Sequence, residues 1–224
     1  MKERINKLAF VLRAAAVFAL CSVLLVCGAQ AKAYSADELA ALARDIIEYE
    51  LSQSGASSVQ QWIDGALTDG AGEVSEWYCI GLSQSGEDYD FSSYADALER
   101  YLAEHNVRGA TTRQKYALAL IAAGRGDSAF VAETLDATVG VQGIMSYVYG
   151  LHLINNGCVS EKHTADSVIS AILSLRLADG GWALNGERSD PDVTSMAVQA
   201  LAPYYEENAD VRAAVDGAIE FLSA

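Results

Sequence analysis

With 30 acidic against 15 basic residues among 224, the chain has a net charge of −15 at neutral pH, a field that repels nucleic-acid phosphates and anionic lipid and excludes both as partners. Hydrophobic residues make up 51% and there are only two prolines, which excludes the low-hydropathy composition of a disordered acidic chain. The length suits one domain with one hydrophobic core.

The first element in chain order is an export signal. Lys2, Arg4, Lys7 and Arg13 precede an uncharged apolar run over 14–26, and Ala31-Lys32-Ala33 has the small-x-small pattern of a cleavage site. This pattern predicts a signal peptide over 1–33, too short in its apolar part to be a membrane span. Cleavage takes away five basic residues and one acidic, leaving a mature charge of about −19. The mature part, 34–224, is then secreted or held at the cell surface, with no membrane span of its own. Two cysteines remain, Cys79 and Cys158. Neither belongs to a CxxC or to a ligand-spaced set, so no metal site is expected. Buried free thiols and a bridge between helices both stay open.

The mature region reads as helices between glycine-rich or polar turns. Residues 36–51 carry Leu39, Leu42, Ile46 and Ile47 on one face behind a cap at Ser35, the pattern of an amphipathic helix. Residues 52–72 read as a polar connector with a loosely packed short helix around Trp62, Ile63 and Leu67. From there two kinds of segment alternate. Segments 73–82, 112–123, 143–154 and 193–205 are apolar on nearly all sides, whereas 94–103, 130–135, 165–177 and 210–222 are striped or weaker. A helix apolar all round must be covered on every side, while a striped one needs a single covered face. The alternation predicts an inner and an outer row of helices built from hairpins, with Ala117, Ala119, Ala122, Ala197 and Ala200 letting inner helices approach closely. Cys79 and Cys158 are expected to face inward.

The most distinctive motif is Leu177-Ala178-Asp179-Gly180-Gly181-Trp182 between two helices. Its glycines permit a positive φ at a helix end, Asp179 can accept turn amides, and Trp182 can pack across a hairpin boundary. The motif resembles the repeat of squalene and terpene cyclases and of protein prenyltransferases. Arg176 stands where that repeat has glutamine, and the reading expects it to stack on Trp182. The run 190–205 (DPDVTSMAVQALAPYY) is similar to the DxDxTAMALQALAPYY segment of secreted bacterial toroid-repeat proteins. Glu76-Trp77-Tyr78-Cys79-Ile80-Gly81-Leu82 resembles their DWYAIAL stretch, and Gln142-Gly143-Ile144 with 147–151 their third inner helix. That group is similar to the α/α-barrel domain of the vitamin B12 carriers, intrinsic factor and transcobalamin. The resemblance spans 39–224 and implies an all-α fold, an α/α-toroid of helical hairpins. About four repeats are present where a closed ring has about six, so the ring is expected to be incomplete and to self-associate through its open ends.

The resemblance implies either a cyclase-like enzyme or a binding module. A class II cyclase uses DxDD, in which neighbouring carboxylates set a strong acid. Asp190 and Asp192 match the first two acids and Val193 replaces the third, so Asp190 and Asp192 read as caps of the last inner helix rather than catalytic groups. A glycan-cleaving site would need two opposed carboxylates. The favoured expectation is non-catalytic binding of a bulky, partly apolar ligand such as a corrinoid, at a mouth where inner-helix N-termini converge. Trp77, Tyr78, Arg113, Tyr147, Tyr149, Asp192, Gln199 and Tyr204 are the expected lining. A surface scaffold using the acidic exterior is the third alternative. N-terminal sequencing of the exported protein tests the first of these expectations: the mature chain begins near Tyr34, and recovery of exported chains that still begin at Met1 contradicts it.

Overall fold

A computed structural model describes residues 34–224, and the expected signal peptide lies outside the described residues. These belong to two compact units that divide at Glu38 and Leu39. The described chain is all-α. Its ten α-helices are α1 (Ala36–Ser54), α2 (Val59–Trp62), α3 (Glu76–Ser83), α4 (Ser92–Glu104), α5 (Ala110–Ala122), α6 (Ala129–Thr138), α7 (Gly143–Asn155), α8 (Ala165–Ser174), α9 (Pro191–Leu201) and α10 (Ala209–Leu222), with no strand among the described residues. A π-helical turn, Ile63–Leu67, continues α2, and a 3-10 turn, Ala202–Tyr204, continues α9. No described helix is long and apolar enough to cross a membrane.

Packing within 39–224 follows the two kinds of helix. α3, α5, α7 and α9 lie in series, each against the next, while α6 covers α5 and α7, α8 covers α7, and α10 covers α9 and α8. The covering helices bury single stripes: Tyr94, Ala95 and Leu98 in α4, Val168, Ile169 and Ile172 in α8, Val211, Ala214, Val215 and Ala218 in α10. Small side chains bring the series together, with Ala117, Ala119, Ala197 and Ala200 wholly buried. At Gly150 an added Cβ would lie 2.7 Å from Val139 Cγ2, so only glycine allows α7 this close approach.

Four expectations are corrected. The connector 52–72 is not loose, because Trp62, Ile63 and Leu67 are buried and Trp62 meets Tyr78 edge to face at 5.3 Å. The apolar sequence of α3 is not covered on every side: Trp77 is 51% exposed and Tyr78 41%. α8 ends at Ser174 instead of reaching Leu177, because the Leu177 amide donates to Gly181 O at 2.9 Å and pulls the chain into the next turn. Cys158 lies past the end of α7 and is only half-buried, whereas Cys79 is buried; both are free thiols. Burial, and then the Glu76 carboxylate, push the Cys79 thiol up to about 12. The leading helix α1 buries no residue fully, and Leu39, Leu42 and Ile46 are exposed on it.

The Asp-Gly-Gly-Trp turn is the best-tied loop of the fold. Asp179 Oδ1 accepts from Ser189 Oγ (2.6 Å) and from the Gly181 amide (3.2 Å), and these donors hold its carboxyl below the usual range. Trp182 is fully buried; its Nε1 donates to Ile172 O of α8 (2.7 Å) and its amide to Thr194 Oγ1 of α9 (2.9 Å). Trp182 therefore ties α8, through its indole, to α9, through its backbone amide. Arg176 does not stack on the indole. Arg176 Nε donates to Gly180 O at 3.0 Å, and its guanidinium fills the space beside Gly217 of α10. Gly180 has φ +97°, and a Cβ there would lie 2.5 Å from Gly217 O.

This geometry separates two glycines that look alike in sequence. Gly180→Ala should cost about 3 kcal/mol or more, from strain plus backbone overlap. Gly186 has φ +76° and open space around its Cβ position, so Gly186→Ala should cost about 1 kcal/mol. Urea unfolding of both variants measures this, and equal losses would contradict it.

Candidate ligand-binding groove

The two ends of the helix series differ in kind. At the N-terminal ends, buried polar side chains take up the amides of the preceding turns. Glu76, 1% exposed, accepts the Gly72 amide on Oε1 (2.6 Å) and pairs with Lys115 Nζ through Oε2 (2.8 Å). Ser146 Oγ accepts the Gln142 amide (2.9 Å) and donates to Gly143 O (2.8 Å). Thr194 Oγ1 accepts the Trp182 amide and donates back to Trp182 O. Asp190 caps α9, its Oδ1 accepting from the amides of Asp192 (2.8 Å) and Val193 (3.1 Å). Among the series helices, only α9 has its first-turn amides capped by the preceding side chain. The candidate groove is not lined by the first turns of α5, α7 or α9, where the mouth was expected, and that expectation is corrected.

The open space lies toward the other end. A groove of about 480 Å³ is lined by Trp77, Ile80, Ser83 and Gln84 of α3 and its cap, Leu118, Ile121 and Ala122 of α5, Tyr149, His152 and Asn156 of α7 and its cap, and Met196 and Gln199 of α9. In α5, α7 and α9 these residues run from the middle of the helix toward its C-terminal end, and in α3 they run from the first turn, at Trp77, to the C-cap. Trp77, Leu118, Tyr149 and Met196 occupy one register position, and Ile80, Ile121, His152 and Gln199 the position three residues further on. Residues three apart share a helix face, so four helices in series present matching faces to one space. The volume falls within the range of small-molecule sites. Trp77 and Tyr149 form its aromatic wall, ring centroids 6.1 Å apart and planes tilted by 42°.

The structure brings together three of the expected lining residues, Trp77, Tyr149 and Gln199. The others lie elsewhere. Tyr78 turns toward α1, where its hydroxyl donates to Glu50 Oε2 at 3.3 Å beside a separate crevice of about 410 Å³ between α1 and α3. Arg113 lies over the Phe130 ring at 4.5 Å and donates to Val107 O. Tyr147 covers the turn at Gly140, Tyr204 donates to Asn155 Oδ1 (2.7 Å), and Asp192 is exposed in the first turn of α9, where it does not share the capping done by Asp190. Sequence reading missed Ile80, Ile121, His152 and Met196. The usable signal was the shared register, counted three residues on from Trp77 and Tyr149.

No carboxylate, lysine or arginine is among the groove-lining residues, and no group of three or more metal-ligating side chains occurs among the described residues. No protein-family profile matches the chain, and comparison with curated proteins and with solved structures likewise yields no match.

His152 is the titratable side chain of the α7 face. Burial holds its imidazole below the ordinary value of 6.5, which favours the neutral form. The unfolded chain then binds the proton first as pH falls, so stability is lost from about pH 6.5 downward until the folded pKa is reached. His152→Gln should flatten that part of the stability–pH curve measured by urea unfolding between pH 7 and 5. An unchanged slope would show that the loss comes from other groups.

Proposed function

We propose that residues 34–224 form a secreted or cell-surface binding module of the α/α-toroid type. It is an incomplete ring of helical hairpins with α3, α5, α7 and α9 inside and α4, α6, α8 and α10 outside. The ligand is a bulky, partly apolar molecule held in the groove along the inner helices. The observation that carries this reading is the repeated register: four inner helices each direct the same two face positions into one space with an aromatic wall. Such a repetition suits a binding surface built from repeats. Trp182 supports the hairpin reading, since its indole and its backbone amide together tie an outer helix, α8, to the next inner one, α9.

The groove suits one edge of a corrin ring better than a whole corrinoid, given its volume of about 480 Å³. Enzymatic alternatives draw no support from the acids. The Asp190 carboxylate is occupied with α9 amides, and Asp192 stands exposed outside the groove.

Cobinamide titration followed by tryptophan fluorescence tests the corrinoid version. Trp62 and Trp182 are buried, so Trp77 dominates the response to a bound quencher. Saturable quenching is expected, with Tyr149→Ala weakening it about fivefold or more, as for loss of an aromatic anchor. Quenching that never saturates, or that Tyr149→Ala leaves unchanged, would remove the corrinoid from this reading.

A further inference from the structure

We propose that the groove is built for an organic cation, a quaternary or substituted ammonium head on an apolar body, received against the Trp77 and Tyr149 rings. This rests on the groove being the binding site, and it adds the charge of the ligand. Three observations converge on it. The rings of Trp77 and Tyr149 lie 6.1 Å apart at 42°, forming a notch in which one cation can approach two π faces within about 6 Å of their centroids. At its far side the groove reaches the C-caps Gln84 of α3 and Asn156 of α7, and helix C-termini carry partial negative charge. No lysine or arginine lines it, while Ser83, Gln84, Asn156 and Gln199 supply neutral oxygens.

An anion would find no lysine or arginine in the groove lining. A neutral apolar ligand would gain the same surface burial but no cation–π attraction. The neutral state of His152, held by burial, keeps the α7 face free of competing positive charge. At longer range the net charge of −15 draws cations toward the protein.

The test uses a matched pair of probes on the full chain: phenyltrimethylammonium and its uncharged carbon isostere, tert-butylbenzene, compared by isothermal titration calorimetry. The ammonium compound should bind about fivefold or more tightly than the isostere. Trp77→Leu and Tyr149→Leu should each reduce that preference, Trp77→Leu without lowering the melting temperature because the side chain is half-exposed. Equal or tighter binding of tert-butylbenzene would overturn the cation and leave the groove as a binding site. Failure of both probes to bind saturably would overturn the cation and the groove together. Ammonium binding unaffected by both substitutions would place the cation outside the aromatic notch and overturn the inference.

Discussion

The turns that precede α3, α7 and α9 are each held by a buried polar side chain of the helix that follows, and the spacing of the series depends on those contacts. Glu76, Ser146 and Thr194 are buried side chains that reach back to the turn before their own helix. Leaving one such group unpaired costs about 1–3 kcal/mol, so these residues hold the turns in place and, through the turns, the spacing of the helices. Further polar links tie neighbours in the series: Lys115 to Glu76 between α5 and α3, Gln114 Nε2 to Ser146 O between α5 and α7, Asn155 Nδ2 to Ala200 O between α7 and α9. These links tie the series both at the turns before its helices and, through Asn155 and Ala200, near the C-terminal ends of α7 and α9. The groove lies along the helix sides, from Trp77 to Asn156.

The charge logic of the groove follows from its lining, which offers aromatic faces, side-chain amides and a hydroxyl but no lysine or arginine. A site of that kind favours apolar mass and positive charge over negative charge. The glycine-rich Asp179–Trp182 turn contributes at a distance, because Trp182 and Thr194 set the position of α9 and so of Met196 and Gln199.

Some of this was readable from the residues. The stripes Val168, Ile169, Ile172 and Val211, Val215 declared covering helices through period alone. Asp190 before Pro191 announced a helix cap, and Asp179-Gly180-Gly181 a turn, because local chemistry decides both. What was not readable depends on neighbours. An apolar α3 looked buried, yet Trp77 and Tyr78 stand open because the packing on that side leaves two separate spaces. Arg176 looked free to stack on Trp182, but the nearby Gly180 carbonyl and the gap at Gly217 on α10 gave it a closer partner. Which end of the helices faces the groove was likewise a tertiary fact. It follows from how the four helices pack, and no local pattern contains it.

The central claim is that α5, α7 and α9, from the middle of each helix toward its C-terminal end, form with α3 the surface that meets a ligand. Backbone amide shifts in a two-dimensional NMR titration with phenyltrimethylammonium test it most directly. The account predicts perturbations clustered at 77–84, 118–122, 149–156 and 196–199. Shifts concentrated instead around Ala43, Ile46 and Ile47 in the α1 crevice, or at the N-terminal turns near Gly72, Gln142 and Asp190, would contradict it.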